Sequence, residues 1–427
     1  MVRAPPMRIL HVNKFLYRRG GAESYLLDVA HHQRAVGHDV WFWGMSHPEN
    51  TETELAQFFP SYIELDPAPS GLLERVRASS RMVWSPSSER GLAAAIEQVR
   101  PDVVHFHNVY HQLSPSVVRA AARGGVASVM TLHDYKLACP SYQLLAHGVP
   151  CTACLDRGPW QAARKSCKDG SRAASTALAA ESWLHRRMHA YAGVGVFICP
   201  SQFLHDVMVR AQVFQERMRV VRHFVEADDG PINSGRGGPV VFAGRLSPEK
   251  GVDTLIRAAA LLPDGATVTI AGEGPLRSDL ERLAGEVAPG RVEFLGRLPK
   301  DELLRLVSRA TAMAVPSRWY ENQPMTVLES LTAATPVVAS DMGGLPEIVR
   351  DRLDGRLVPA DDPAALASAL TELLDDPALA ASYGRAGRER MLTDFALDRH
   401  LAALEDAYAA ARSRPARRRR PPVGTRT

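Results

Sequence analysis

The sequence predicts an α/β protein made of two doubly wound parallel-sheet domains in tandem, facing each other across a cleft. Three observations lead there. Short β-branched and aromatic runs alternate with amphipathic helical runs, a rhythm that demands parallel strands joined by right-handed crossovers. A glycine-rich stretch, Asp228 to Gly238, interrupts that rhythm, which then restarts. A length of 427 residues suits two or three domains of ~150 each.

The elements follow in order. A first strand is expected over Arg8 to Asn13, where Ile9, Leu10, His11 and Val12 lie between a proline pair and a glycine pair. From Ala22, apolar residues recur at helical spacing until Gly37, a good left-handed stop, and His38 to Trp43 returns to strand. Further strands are expected at Val103 to Phe106, Val126 to Leu132, Val194 to Cys199 and Val220 to Val225, with the rhythm broken between Cys139 and Cys167. After the glycine-rich hinge, strands at Val240, Thr267, Val292, Ala312 and Pro336 alternate with helices at Val252, Leu276, Glu302 and Met325, and a last short strand falls near Leu357. Helical patterns at Ala364, Ala378 and Leu397 close the chain. The division is therefore 1–226, a hinge at 227–238, 239–395, a helix at 396–411 and a tail at 412–427.

Composition excludes several classes. With 45% apolar and 23% charged residues the chain is neither disordered, fibrous nor a disulfide knot. The net charge of +4 arises from the tail, since seven arginines, Arg417 to Arg420 among them, lie in the last sixteen positions. That tail is expected to be disordered and solvated, with attraction to anionic lipid or nucleic acid the functional alternative and no specific nucleic acid as partner. No run of ~18 apolar residues and no signal-type start is seen, so the expectation is cytoplasmic, with any membrane contact peripheral to the inner face.

Ligands of doubly wound sheets bind at the carboxyl ends of strands, so the loops there carry the chemistry. Gly20 and Gly21 precede a helix N-terminus and are expected to permit positive φ and close backbone approach. In Gly244-Arg245-Leu246-Ser247-Pro248-Glu249-Lys250-Gly251, a guanidinium fork and an ammonium can converge on one diphosphate. Gly272-Glu273-Gly274-Pro275 is expected to pass close to a ligand, with Pro275 as first helical residue. Neither glycine loop has the third glycine of a dinucleotide fingerprint. Glu321 to Glu329 places one carboxylate in a loop and another within a helix, and the N–H groups of Met325, Thr326 and Val327 are expected to point at the same space.

The loop set GGAE, HD, GRLSPEKG, AGEGP, VEFLGRL, ENQPMTVLE and VVASDMGGLPEIV, in this order, resembles the retaining nucleotide-sugar glycosyltransferases of family 4, whose two facing Rossmann-like domains form the GT-B fold. The resemblance covers Met7 to about Ala411. It implies that Glu321 lies near the donor sugar and Glu329 on the ribose hydroxyls, with Arg245 and Lys250 on the diphosphate. It also implies that Gly20 and Gly21 form the N-terminal glycine loop, that His133 approaches the sugar from the first domain, and that Leu295 lies where the base is met. The terminal helix should cross back onto the first domain. One departure stands out: Asn322, Gln323 and Pro324 replace the usual Gly-Phe-Gly after the first glutamate.

The activity so implied is transfer of a hexose from a nucleoside-diphosphate sugar, UDP- or GDP-linked, to a hydroxyl of a glycan, lipid-linked or small-molecule acceptor. Arg245 and Lys250 take the part of a metal, so no catalytic metal is expected, and Glu321 stabilises positive charge without acting as a nucleophile. Cys139, Cys151, Cys154 and Cys167 have a spacing compatible with one structural zinc as well as with plain free thiols. Cys199 is expected in the core, and His105, His107 and His111 as acceptor-side lining. Two other readings stay open: an epimerase or phosphorylase of the same fold, and a non-catalytic nucleotide- or glycan-binding protein.

Overall fold

The structure, a computed structural model, describes residues 5–63, 71, 80–226, 230–233, 235 and 237–414. The tail arginines Arg417 to Arg420 and part of the hinge lie outside the described residues.

The first half contains β1 (Arg8–Val12), β2 (Asp39–Trp43), β3 (Val103–Phe106), β4 (Ala127–Thr131), β5 (Leu145–Ala146), β6 (Val149–Pro150), β7 (Val196–Cys199) and β8 (Met218–Val220). Six of these form an all-parallel sheet in the order β2-β1-β3-β4-β7-β8, while β5 and β6 pair as a small antiparallel hairpin. The second half contains β9 (Val240–Ala243), β10 (Val268–Ala271), β11 (Val292–Gly296), β12 (Ala312–Val315), β13 (Val337–Ser340) and β14 (Gly355–Val358), parallel throughout and ordered β11-β10-β9-β12-β13-β14. The central strands β3, β7, β10, β12 and β13 are buried along their whole length. Helices cover both faces of such sheets, so their strands read as unbroken apolar runs.

Chain direction across each sheet reverses beside its first strand, between β1 and β3 and between β9 and β12. A reversal leaves a crevice at the strand ends. The loops after these four strands therefore face the space between the domains.

Two expectations on elements are corrected. No strand runs from Val220 to Val225: β8 ends at Val220, and Val225 makes a lone parallel bridge to Ala396, its N–H bonding Phe395 O at 2.9 Å. The chain passes between the halves twice at this point, and the β-branched residues serve that crossing. Pro275 is not the first residue of its helix, which starts at Arg277 after a turn.

The helix Leu397–Arg412 lies on the first sheet. Its Leu401, Leu404, Ala407 and Tyr408 share one apolar core with Ile9, Val29 and Val196. Gly195 allows the approach, since a Cβ there would stand 3.2 Å from that of Ala411.

Candidate active site

The loop after β9 is shaped by backbone pressing on backbone. A Cβ on Gly272 would lie 1.8 Å from Gly244 O, and one on Gly274 2.3 Å from Leu246 O. These glycines are thus explained by the contact between two loops, where the sequence suggested closeness to a ligand. Arg245, held on this ridge, is exposed, and among the described residues no carboxylate pairs with it. A short 3-10 turn, Pro248–Lys250, ends at left-handed Gly251 (φ 64°) and presents Lys250.

Lys250 Nζ donates to Glu321 Oε1 at 2.7 Å, and Ser317 Oγ donates to the same oxygen at 2.6 Å. Glu321 is only 4% exposed. Burial alone would push its carboxyl up, but the adjacent Lys250 charge and these hydrogen bonds hold it below the ordinary carboxylate value. Glu321 is therefore ionised at neutral pH. Its backbone sits on the loop after β13: Cβ atoms on Gly343 and Gly344 would lie 2.4 Å from Glu321 O and 1.9 Å from Asn322 O, and Gly344 N–H bonds Glu321 O at 2.7 Å.

The next residues tie the two domains together. Asn322 Oδ1 accepts from Ser201 Oγ at 2.7 Å, and its Nδ2 donates to Leu132 O at 3.3 Å. Gln323 Oε1 accepts from the His223 N–H at 2.6 Å, and Tyr135 OH donates to Tyr320 O at 2.9 Å. Glu347 accepts from the N–H groups of Gln202 and Phe203 at 2.8 and 2.6 Å, capping a helix of the other domain. Sequence reasoning missed these roles of Asn322, Gln323 and Glu347. The departure from the family pattern at Asn322 was visible, but nothing local named its partners.

Pro324 is the N-cap of the helix Met325–Thr332. The N–H of Val327 is already bonded to Pro324 O at 3.1 Å, so its expected role as a free donor is corrected: Met325 and Thr326 are left to offer theirs. Glu329, one turn on, lines an interdomain pocket with Asp28, Glu226 and Lys300. Its carboxyl is raised to about 6, chiefly by burial, with Lys300 opposing and Asp28 adding to the rise. Leu295 is 38% exposed on the sheet edge strand β11.

The first domain meets this cleft with the loops after β1 and β4. Gly20 caps the helix Gly21–Ala35 with extended backbone (φ −159°), and neither Gly20 nor Gly21 has the positive φ expected of it. Both are exposed, and a Cβ at Gly21 would meet nothing within 4 Å, so the pair leaves open space at a helix N-terminus. Glu23, whose role the sequence did not suggest, is buried and receives a hydrogen bond from Asn13 Nδ2 at 3.4 Å.

His133 heads a buried chain of rings. Its Nε2 bonds His107 Nδ1 at 3.1 Å, His107 Nε2 bonds His11 Nδ1 at 3.0 Å, and His11 Nε2 bonds Gln33 Oε1 at 2.8 Å. Gln33 donates to Tyr408 OH at 2.8 Å, and that hydroxyl bonds His105 Nδ1 at 2.9 Å. Burial keeps these rings neutral, pulling His133 down to about 3 and His11 to about 4. His105 and His107 are fully buried inside the sheet, which corrects their expected place as acceptor lining, and His111 stands apart at left-handed φ (64°). The ring nitrogens of His11, His105 and His107 lie close enough together for a metal, yet every one of them has a protein partner, His105 Nε2 bonding Thr131 Oγ1 at 2.8 Å. The four insertion cysteines are free thiols, and Cys199 is in the core against Met218 Sδ at 3.7 Å.

Paired domains of this kind, with cations and a helix N-terminus on one wall of the cleft and an ionised carboxylate beside them, suit a ligand that carries both a diphosphate and a sugar; they define a nucleotide-sugar glycosyltransferase. Comparison with known proteins agrees. The model described as Glycosyltransferase Family 4 matches residues 19–229, and that described as Glycosyl transferases group 1 matches residues 234–390. A glycogen synthase of Mycobacterium tuberculosis is 30% identical over 390 residues, covering 86% of this chain and 90% of the relative. A D-inositol 3-phosphate glycosyltransferase of Salinispora tropica is 40% identical over 190 residues, covering 41% of this chain and 39% of the relative. Among solved structures, sucrose-phosphate synthase from Thermosynechococcus elongatus has a TM-score of 0.69 at 19% identity, covering 94% and 98% of the two chains. Anabaena HepE in complex with UDP and glucose has 0.66 at 18% identity, covering 95% and 100%. The chain belongs to glycosyltransferase family 4 and is a glycosyltransferase that moves sugar from a nucleotide-sugar donor to an acceptor. Among the described residues no helix is long and apolar enough to cross a membrane.

Proposed function

We propose that this chain is a retaining hexosyltransferase that uses a UDP-hexose, with GDP-hexose as the alternative donor, needs no catalytic metal, and glycosylates a hydroxyl of a glycan or lipid-linked acceptor. The observation that carries the reading is the charge array at the cleft: unpaired Arg245, Lys250 held against ionised Glu321, and the uncapped helix start at Met325 and Thr326. Cleavage of the donor leaves negative charge on the diphosphate and positive charge on the sugar. Arg245, Lys250 and the two N–H groups serve the first, and each such contact is typically worth a few kcal/mol in the transition state. Glu321 serves the second, while the departing phosphate takes the proton of the attacking hydroxyl.

Glu329, destabilised by burial, gains from the two hydroxyl donors of a ribose. Leu295 lies beside the base, and His133 reaches the sugar from the other domain, its Nε2 already engaged by His107. Gly20 and Gly21 give the donor room, and Gly244 and Gly272 set the height of the Arg245 ridge. The UDP preference draws on the HepE complex with UDP and glucose. The acceptor is taken by the first domain, and a lipid-linked acceptor brings the protein to the membrane surface peripherally.

The test is thermal stabilisation by UDP, GDP, ADP and CMP, with Glu329→Ala as control, in buffer containing a chelator. A nucleotide at ~100 times its dissociation constant adds ~2.7 kcal/mol. UDP should give the largest shift, unaffected by the chelator and weakened in the variant. A shift that needs a divalent cation, or equal small shifts for all four, would refute the reading.

A further inference from the structure

We infer that a buried hydrogen-bond chain fixes His133 as one neutral tautomer, its proton on Nε2 and its Nδ1 bare. His133 then accepts a hydrogen bond from a hydroxyl of the donor sugar, and Gln33 is the positioning residue that sets the direction of the chain. His133 takes this part only in the donor site proposed above, on which the inference rests.

The rings are neutral because nothing beside them balances a charge. His11, His105 and His107 are fully buried, and among the described residues no carboxylate bonds these rings or that of His133. A neutral imidazole that donates at one nitrogen accepts at the other, and each nitrogen-to-nitrogen link holds one proton. Direction at one end of the chain therefore passes to the other.

That direction starts at Gln33, on the helix Gly21–Ala35. Its carbonyl oxygen, which can only accept, meets His11 Nε2 at 2.8 Å, so His11 carries its proton there and leaves Nδ1 bare. His107 must then donate from Nε2 across 3.0 Å and accept at Nδ1. His133 donates to it from Nε2 across 3.1 Å, and its own Nδ1 is left without a proton. His133 is partly exposed, and among the described residues its Nδ1 has no hydrogen-bond partner. Tyr25, edge-on at 5.6 Å, and His223, stacked at 6.0 Å, hold the ring in place.

The amide of Gln33 is oriented from its other side. Its Nε2 donates to Tyr408 OH at 2.8 Å, that hydroxyl donates to His105 Nδ1 at 2.9 Å, and His105 Nε2 donates to Thr131 Oγ1 at 2.8 Å. A backbone carbonyl anchors the same direction. Arg222 O accepts from His400 Nδ1 at 2.6 Å, so His400 Nε2 takes the Tyr25 proton at 3.1 Å, and the phenol oxygen is left to accept from Thr131. Thr131 spends its proton there and receives the one from His105. Tyr408 and His400 both belong to Leu397–Arg412, so the helix that returns to the first domain sets the state of a residue at the cleft. A bare Nδ1 cannot donate to a diphosphate oxygen or to an ether oxygen; it selects a sugar with a hydroxyl proton to give.

The test reads the ring nitrogens of His133 by nitrogen NMR of the full-length protein labelled at histidine, with His133→Ala assigning the signals. Free wild type at neutral pH should show a protonated Nε2 and a bare Nδ1. Gln33→Glu, which still presents an acceptor to His11, should keep that pattern, whereas Gln33→Met should give intermediate shifts at both nitrogens, the mark of mixed tautomers. The wild-type spectrum decides the direction whether or not Gln33→Met folds. UDP-glucose and its analogues, each with one hydroxyl replaced by hydrogen or by fluorine, are then compared by calorimetric binding. Fluorine does not donate, so at one position both replacements should weaken binding about tenfold in wild type and neither should in His133→Ala. A proton on Nδ1, a folded Gln33→Met protein with the wild-type pattern, or fluorine analogues that bind as well as UDP-glucose at every position would each overturn the inference. Failure of UDP-glucose to bind counts against the donor reading alone, since the tautomer is read in the free protein.

Discussion

Replacing Glu329 by glutamine isolates the cost of a carboxylate held in the interdomain pocket. Its carboxyl is raised from the ordinary 4.5 to about 6, first by burial and further by Asp28, against the opposing charges of Lys300 and Arg18. The folded state therefore binds this proton more tightly than the unfolded chain does, and the ionised form costs stability. That cost is absent below pH 4.5, where both states are protonated, develops as pH rises to about 6, and is complete above it. At ~1.4 kcal/mol per tenfold change in proton affinity it amounts to about 2 kcal/mol, an upper figure because the half-buried group keeps some contact with water. Glu329→Gln should accordingly melt higher than wild type at pH 8, by a few degrees, and match it at pH 4.5. With UDP the order should reverse in size: the variant loses the acceptor for the ribose hydroxyls, so its ligand-induced shift shrinks. Calorimetric melts at both pH values, with and without UDP, decide the matter. A variant less stable than wild type at pH 8, or an offset of equal size at both pH values, would show that burial does not strain this carboxylate.

Lys250→Met strands the ionised Glu321 in a site only 4% exposed, and loss of one partner of a buried pair costs about 3–5 kcal/mol. The double variant Lys250→Met with Glu321→Gln should recover most of that stability in urea unfolding while transfer stays undetectable; an unchanged urea midpoint in the single variant would refute the pairing. Gly344→Ala puts a Cβ 1.9 Å from Asn322 O and must push the Glu321 segment aside, so transfer rates should fall roughly a hundredfold, on the scale expected for ~1 Å misplacement. Normal rates would mean the two loops are not rigidly stacked. Acid should unfold the protein steeply: His11, His105, His107, His133, His223 and His400 all have lowered values, chiefly from burial, so the unfolded chain takes up protons the fold refuses as pH falls below 6.5. Each contributes up to ~1.4 kcal/mol per pH unit until its own folded value is reached. Denaturant melts between pH 7 and 5 should show an uptake of several protons, and fewer than two would argue against a neutral histidine core.

Local pattern was enough for much of the architecture. Alternating apolar runs identify a strand or helix within a few residues, because the side-chain period is a property of the segment itself. The run Val240 to Ala243 and the helix Met325 to Thr332 were legible in this way, as was the family, through loop motifs that sit at the ends of those strands. The helices Pro86–Val99 and Gln202–Arg210 carried serine caps at Ser85 and Ser201 that the periodicity reading passed over. Strand character from Val220 to Val225 misled, since β-branched residues suit any extended chain and only the crossing to Phe395 told which kind this was.

The sequence by itself determined which chemical groups stand in the strand-end loops: Arg245, Lys250, Glu321, Glu329, His133. Only the tertiary structure decided what each of them meets. Lys250 finds Glu321 across 71 residues, and Asn322 and Gln323 find partners in the other domain 121 and 100 residues away. The glycine pair Gly343-Gly344 proved necessary because two backbones touch, and His105 and His107 turned inward because β3 lies in the middle of a sheet covered on both faces. Those pairings depend on how two sheets and their crossovers pack, a non-local outcome with no periodic trace in the chain.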